Sequence, residues 1–281
     1  MSRIKLIVET SPYWHFTLDY MMSSIEACGF REMELWAAAP HYCFADAPSA
    51  QTERLREIKE RIVAHNLAVP VFSPEQCVKY PWNIASPDPS MEKKSMAIVS
   101  RYVLDAAELG SSVIRIGTGW EHLDARSLKN RERSIRNMRI LAETAAELNL
   151  KVIVGTSGPQ IGSFASDIRS LKKYVRDVGM NNVQAAVTFS EILDNGMTFS
   201  SCMDYFDGLL GHLYLSGTGG GVPGKDGSKA EGLLRECETE RFKGYISLQI
   251  TFRDCILTPD RSVFESADWL RKIGFADLLR G

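Results

Sequence analysis

Glu75, Glu121 and Glu191 each stand in a loop that follows a short apolar, β-rich run. A carboxylate in such a place can take and return a proton, the work of a general base in an isomerisation or an elimination. His41 and His122 follow other runs of the same kind, where an imidazole donates a hydrogen bond to a substrate or caps a loop. Glu75, Glu191 and His122 are the catalytic candidates. Trp36, Trp82 and Trp120 fall at or just after the ends of these runs. Their ring faces suit the C–H face of a sugar or another flat ligand, and they serve equally to cover loops. Together with Glu34, His41 and His212 they form the candidate substrate-binding set.

Other chemistry-bearing residues point less far. Lys151 opens a strand, far from the end at which a Schiff base would form. From Gly219 the stretch Gly217–Asp226 nearly matches a phosphate-cradling loop, but Asp226 stands where a magnesium-binding hydroxyl is required. An acid there repels phosphate, and the stretch reads as a loop. Cys28, Cys43, Cys77, Cys202, Cys237 and Cys255 show no CxxC pair and no nearby histidine pair. They read as free, structural thiols of a chain in a reducing cytoplasm.

Positioning these residues takes alternating elements. Strands are expected at Ile4–Val8, Met33–Trp36, Ala68–Phe72, Val113–Ile116, Lys151–Val154, Gln184–Val187, His212–Leu215 and Tyr245–Ile250. Helical periodicity lies between them, as in Leu55, Ile58, Ile62 and Val63, and again in Ile135, Met138, Ala142 and Ala145. Gly29, Gly110 and Gly179 sit where helices should end. Strands alternating with helices imply a parallel sheet, and eight strands close a barrel. The expected fold is α/β, a (β/α)8 TIM barrel, as one domain over residues 1–281, since no linker or low-complexity tract divides the chain. A doubly wound open sheet would show a glycine fingerprint after its first strand, and Glu9-Thr10-Ser11-Pro12 has none.

Side-chain parity then sorts each strand. The purely apolar sets (Val152 and Val154, Ala185 and Val187, Leu213 and Leu215, Ile246 and Leu248) should face the helices. The mixed sets fill the barrel, placing Ile153, Ala186, His212 and Ser247 inside and turning Glu9 and Glu34 inward. At the C-terminal ends of the last four strands this leaves Gly155, Thr188, Tyr214 and Gln249. None is charged, and none is a good donor for a hard divalent cation. They form part of a binding site or simply plug the barrel top.

Ala27-Cys28-Gly29-Phe30-Arg31-Glu32-Met33-Glu34-Leu35-Trp36, Pro40-His41, Ser73-Pro74-Glu75, Tyr80-Pro81-Trp82-Asn83, Pro223-Gly224-Lys225 and Gly244-Tyr245 follow one another in a distinctive order. In them the chain resembles the xylose-isomerase-like TIM barrels, the sugar-phosphate isomerase/epimerase group, and within it the fructoselysine-type 3-epimerases. The resemblance runs over nearly the whole length. It implies a carbohydrate substrate and a Mn²⁺-like cation held by Glu, Asp, His and Glu at the ends of strands five to eight. The matching positions are Gly155, Thr188, Tyr214 and Gln249, so the metal quartet is expected to be degenerate. The two metal-binding glutamates double as the acid/base pair in the family, and Gly155 and Gln249 can do neither job.

Three readings follow. The chain binds a small sugar-like molecule with its metal chemistry lost, and needs no cofactor; it runs metal-independent isomerase or lyase chemistry on loop Glu and His residues; or it is a non-catalytic subunit beside an active paralogue. Its protein partners would then be further copies of itself or that paralogue. Composition narrows the rest. The 281 residues carry 33 Lys and Arg against 35 Asp and Glu. That balance lacks the basic excess of a nucleic-acid binder, and no apolar run reaches the roughly 18 residues a membrane helix needs.

Overall fold

The computed structural model describes residues 4–42, 48–76, 81–225, 229–251 and 253–280. Cys43, Cys77, Tyr80 and Asp226 lie outside the described residues. The strands are β1 (Lys5–Glu9), β2 (Glu32–Ala37), β3 (Ala68–Pro74), β4 (Val113–Arg115), β5 (Lys151–Gly155), β6 (Val183–Thr188), β7 (Leu210–Leu215) and β8 (Tyr245–Leu248). The helices are α1 (Leu18–Ala27), α2 (Pro48–Ala64), α3 (Pro89–Glu108), α4 (Leu128–Glu147), α5 (Ile168–Val178), α6 (Phe189–Asp194), α7 (Phe199–Phe206), α8 (Ala230–Thr239) and α9 (Pro259–Lys272). The strands close into a barrel in the order β1 to β8, a (β/α)8 TIM barrel. Each observed strand lies within two residues of its expected bounds at both ends.

Local chemistry explains where the helices begin and end. Side chains of Thr17, Asp88, Ser127 and Asp167 accept hydrogen bonds from first-turn amides of α1, α3, α4 and α5, satisfying donors that a helix cannot pair internally. Gly29, Gly110 and Gly179 adopt positive φ just past the ends of α1, α3 and α5, as their placement predicts. Val63 corrects the expected apolar stripe of α2. Leu55, Ile58 and Ile62 are buried, whereas Val63 is 75% exposed. It is turned about 100° from Ile62 around the helix axis, off the core face. Ile135, Met138, Ala142 and Ala145 of α4 are all buried.

The chain divides into two compact units, Met1–Pro70 with Val187–Gly281, and Val71–Ala186. In the first unit β7, β8, β1 and β2 run side by side, with Leu213 opposite Ile246, Leu6 opposite Ile246, and Glu9 opposite Glu34. In the second, Ile114 stands opposite Phe72 on one side and Val152 on the other, and Val154 opposite Ala185. The apolar sets of β5 to β8 are wholly buried, and so are Ile153, Ala186, His212 and Ser247 from the opposite parity. Burying one such Val, Leu or Ile side chain stabilises by about 1.5–3 kcal/mol. Among the described residues no helix is long and apolar enough to cross a membrane.

Candidate functional site

In the first unit, a carboxylate is built into the barrel interior. Met33 and Leu35 are buried on the opposite parity of β2, which turns Glu34 the other way. Glu34 Oε1 accepts from the Tyr214 hydroxyl at 3.0 Å, and Oε2 accepts from Ser247 Oγ. Tyr214 lies on β7 and Glu34 on β2, with β8 and β1 between them in the sheet, so this bond crosses the inside of the barrel. His212 Nε2 lies 3.0 Å from Ser247 Oγ and 3.4 Å from Glu34 Oε2. The single hydroxyl proton of Ser247 goes to Glu34, so His212 Nε2 carries the proton and donates to the serine oxygen. His212 and Glu34 are both 0% exposed. His212 Nδ1 has no hydrogen-bond partner among the described residues.

The neighbouring carboxylate, Glu9, is bound locally, accepting from the Ser11 amide at 2.9 Å and from the Ser11 hydroxyl at 2.6 Å. Aromatic rings gather beside it. Trp36 is half-buried, and its amide donates to Thr10 Oγ1 at 2.9 Å. The Trp14 ring stands edge-on to it at 6.1 Å, His15 stacks on Trp14 at 4.2 Å, and Trp14 Nε1 donates to the Ala39 carbonyl at 2.7 Å. Trp14 and His15 were legible as chemistry-bearing residues in the loop after β1, but sequence reasoning passed them over. His41 is buried with Nε2 at 2.5 Å from the Phe16 carbonyl. It ties two loops together, and burial holds its pKa below the ordinary imidazole value despite that bond.

In the second unit, Glu75 is 6% exposed just past β3. Gln76, which sequence reasoning missed, clamps two strand ends. Its Nε2 donates to Pro74 O at 3.1 Å and Arg115 O at 3.2 Å, and its Oε1 accepts from the Gly117 amide at 3.2 Å. Trp82 lies under Lys94 Nζ at 5.3 Å. Its neighbour Asn83 holds the main chain of Trp120 at both ends, donating to its carbonyl at 2.8 Å and accepting from its amide at 3.0 Å. His122 is exposed and meets the Trp120 ring edge-on at 5.7 Å. Glu121 accepts from the Ser127 amide at 2.8 Å. Lys151 is exposed at the start of β5.

Each unit therefore brings some candidates together. Glu34, His212 and Tyr214 share one network with Ser247, and Trp82, Trp120 and His122 share one loop cluster. Glu191 belongs to neither. Its carboxylate accepts from the Thr188 amide at 2.7 Å while its own amide donates to Thr188 Oγ1 at 3.0 Å, a reciprocal cap at the start of α6.

The four strand-end positions do not fit a divalent cation. Gly155 has no side chain, and a Cβ built there would lie 3.0 Å from Arg115 Nη2. The Thr188 hydroxyl caps α6, the Tyr214 hydroxyl is given to Glu34, and half-buried Gln249 offers a neutral amide. A hard dication prefers carboxylates and imidazoles. Among the described residues no three His, Cys, Asp or Glu side chains converge.

Comparison with known proteins bears on the same architecture. No curated protein matches the sequence. The chain is similar in structure to D-psicose 3-epimerase with D-tagatose from Clostridium cellulolyticum H10, with 16% identity, TM-score 0.74, and coverage of 96% of this chain and 99% of that one. It is similar to 3-keto-D-glucoside 4-epimerase from E. coli at 16% identity and TM-score 0.74, covering 96% and 100% of the two chains. The probable 3-DHS dehydratase involved in petrobactin synthesis from Bacillus anthracis follows at 13% identity and TM-score 0.64, covering 95% and 99%. At these identities the likeness is one of fold. The model of the xylose isomerase-like TIM barrel family matches residues 23–273, and with eight parallel strands closed into a barrel the chain belongs to that family.

Proposed function

We propose that this protein binds a small polyhydroxylated, sugar-like molecule at the C-terminal ends of its strands, and that its strand-end residues have given up metal-assisted proton transfer. One observation carries the reading: at the positions of the expected quartet Gly155 has no side chain, and the Thr188 and Tyr214 hydroxyls are engaged elsewhere. Gly155 is covered by a guanidinium, Thr188 caps a helix, and Tyr214 donates to Glu34. The candidates for binding are Trp36 and His41 in the first unit, where Glu34 and His212 stand in the barrel interior, and Glu75, Trp82, Trp120 and His122 in the second. Glu121 accepts from the Ser127 amide and Glu191 from the Thr188 amide at the start of α6, and Glu75, Glu191 and His122 remain the candidates for any proton transfer. Cys28, Cys202 and Cys237, buried as free thiols, support a reducing cytoplasm as the place of work.

The test joins metal analysis to ligand titration. The purified protein should hold no stoichiometric Mn²⁺, Mg²⁺, Zn²⁺ or Co²⁺, and a ketose and ketoamine panel followed by tryptophan fluorescence should reveal a ligand tighter than millimolar. Trp82→Phe and Glu75→Gln should each weaken it about tenfold, the equivalent of about 1.4 kcal/mol. One cation per chain would overturn the metal part. Turnover without metal that Glu75→Gln abolishes would make the protein a metal-independent isomerase or lyase. A panel with no ligand, together with a co-purifying paralogous barrel, would make it a partner subunit.

A further inference from the structure

In the first unit α1 and α9 lie against one another, and a groove of about 640 Å³ opens between them. That is the volume of a pocket for one small organic molecule. Helical spacing builds it. Tyr20, Ser23 and Ala27 recur at intervals of three and four along α1, and Asp260 and Phe264 stand four apart on α9. Ser23 and Ala27 are small enough to leave the floor low, while Tyr20 and Phe264 rise on either side of it. Tyr20 is 40% exposed and Phe264 is 55% exposed. Large apolar side chains scattered singly on a surface mean little, but two that line one depression mark a place where something binds. The Tyr20 wall is also braced, since Phe16 stacks on its ring at 4.9 Å and the Tyr13 ring lies tilted to it at 6.4 Å.

Asp260 gives the groove its charge. Its carboxylate joins no ion pair among the described residues. The cations nearby are occupied: Arg261 is held by Glu265 at 2.9 Å, and Arg271 donates to the Cys28 carbonyl. The field of Asp260 is felt on α1. Desolvation raises the Tyr20 phenol pKa, and the charge and hydrogen bonding of Asp260 raise it further. Burial pushes the Cys28 thiol up to about 11, with Arg271 opposing and Asp260 adding to the rise. Tyr20 therefore stays neutral at physiological pH, an aromatic wall beside an anion. We propose that the groove between α1 and α9 binds an organic cation, an arylalkylamine whose ammonium meets Asp260 and whose ring lies between Tyr20 and Phe264. An ammonium is drawn to a carboxylate and to an aromatic face alike. A neutral molecule gains only the burial of its ring, and an anion is repelled. The inference stands apart from the sugar-binding reading, because none of these residues belongs to that candidate set.

Phenethylamine, 2-phenylethanol and phenylacetate share one scaffold and differ in charge. Calorimetric titration of the full chain with each therefore separates charge from ring burial. The amine is protonated at neutral pH. It should bind more tightly than millimolar and at least about tenfold better than the alcohol or the acid, and added salt should shrink the gap. Asp260→Asn should bring the amine down to the affinity of the alcohol. Phe264→Ala should weaken the amine at least about threefold. Both side chains are exposed, so neither substitution opens the core, and circular dichroism checks the fold. Ala27→Met, which fills the floor, should abolish amine binding and decides the matter if either of the other variants unfolds. Equal affinities for the three probes overturn the inference, and so does binding of none. A preference for phenylacetate would assign the charge of the groove to Arg261 and overturn it as well. An amine that binds tightly but ignores every substitution is held elsewhere, and the inference fails.

Discussion

Burial separates the two histidines that follow β2 and β4. His122 is exposed, whereas His41 is buried against the Phe16 carbonyl and its pKa is held below the ordinary value by desolvation. Below about pH 6.5 the unfolded chain therefore takes up a proton that the folded chain refuses. The stability that neutral His41 contributes is complete above that pH and is lost as pH falls toward its folded value. Melting temperatures measured between about pH 8 and pH 5 should fall more steeply for the wild-type protein than for His41→Asn. Equal slopes would show that His41 does not carry the dependence. At this scale the sequence was partly transparent. Parity alone turned Glu34 inward and put His212 and Ser247 inside, but which of them bond depends on distances across the barrel that no spacing encodes. Arg115 escaped notice because a lone arginine at a strand end is unremarkable until the glycine beneath it is seen.

Loops in the second unit show how backbone shape, more than residue type, aims a side chain. Gly119 has φ +74°, and a Cβ there would come within 2.6 Å of Asn83 Oδ1 and 2.9 Å of Ala85 N. Only glycine lets the chain pass this close, and the passage is what lets Asn83 grip Trp120. Gly119→Ala should cost about 1–3 kcal/mol in a urea melt and alter the near-ultraviolet circular dichroism of Trp120. An unchanged signal from a folded variant would show that Asn83 does not set the ring. Strands and helices were readable from their periods because one face of each is buried. The Asn83 grip and the Gln76 clamp were not, since both consist of side chain to backbone bonds with no periodic signature.

A barrel whose strands close on themselves has no free sheet edge to open first. We propose that residues 1–281 form one domain, although the contacts of the chain gather into two compact units. Trp14 and Trp36 belong to one unit and Trp82 and Trp120 to the other. Fluorescence therefore samples both, and in chemical denaturation it should change in a single transition that coincides with the far-ultraviolet signal. Two separated transitions would assign each unit its own stability. The number of strands and their order of occurrence were legible from the alternation of periods; the division into units was not, because it depends on how densely distant segments touch. The bond from the Tyr214 phenol to Glu34 spans 180 positions of sequence at 3.0 Å. A histidine at 214 would take that phenol donor from Glu34, and a neutral aliphatic residue at 34 would strand the phenol instead. The two positions are thus coupled through one bond: a change at either alters what the other side chain has to bond, however far apart they stand in the chain.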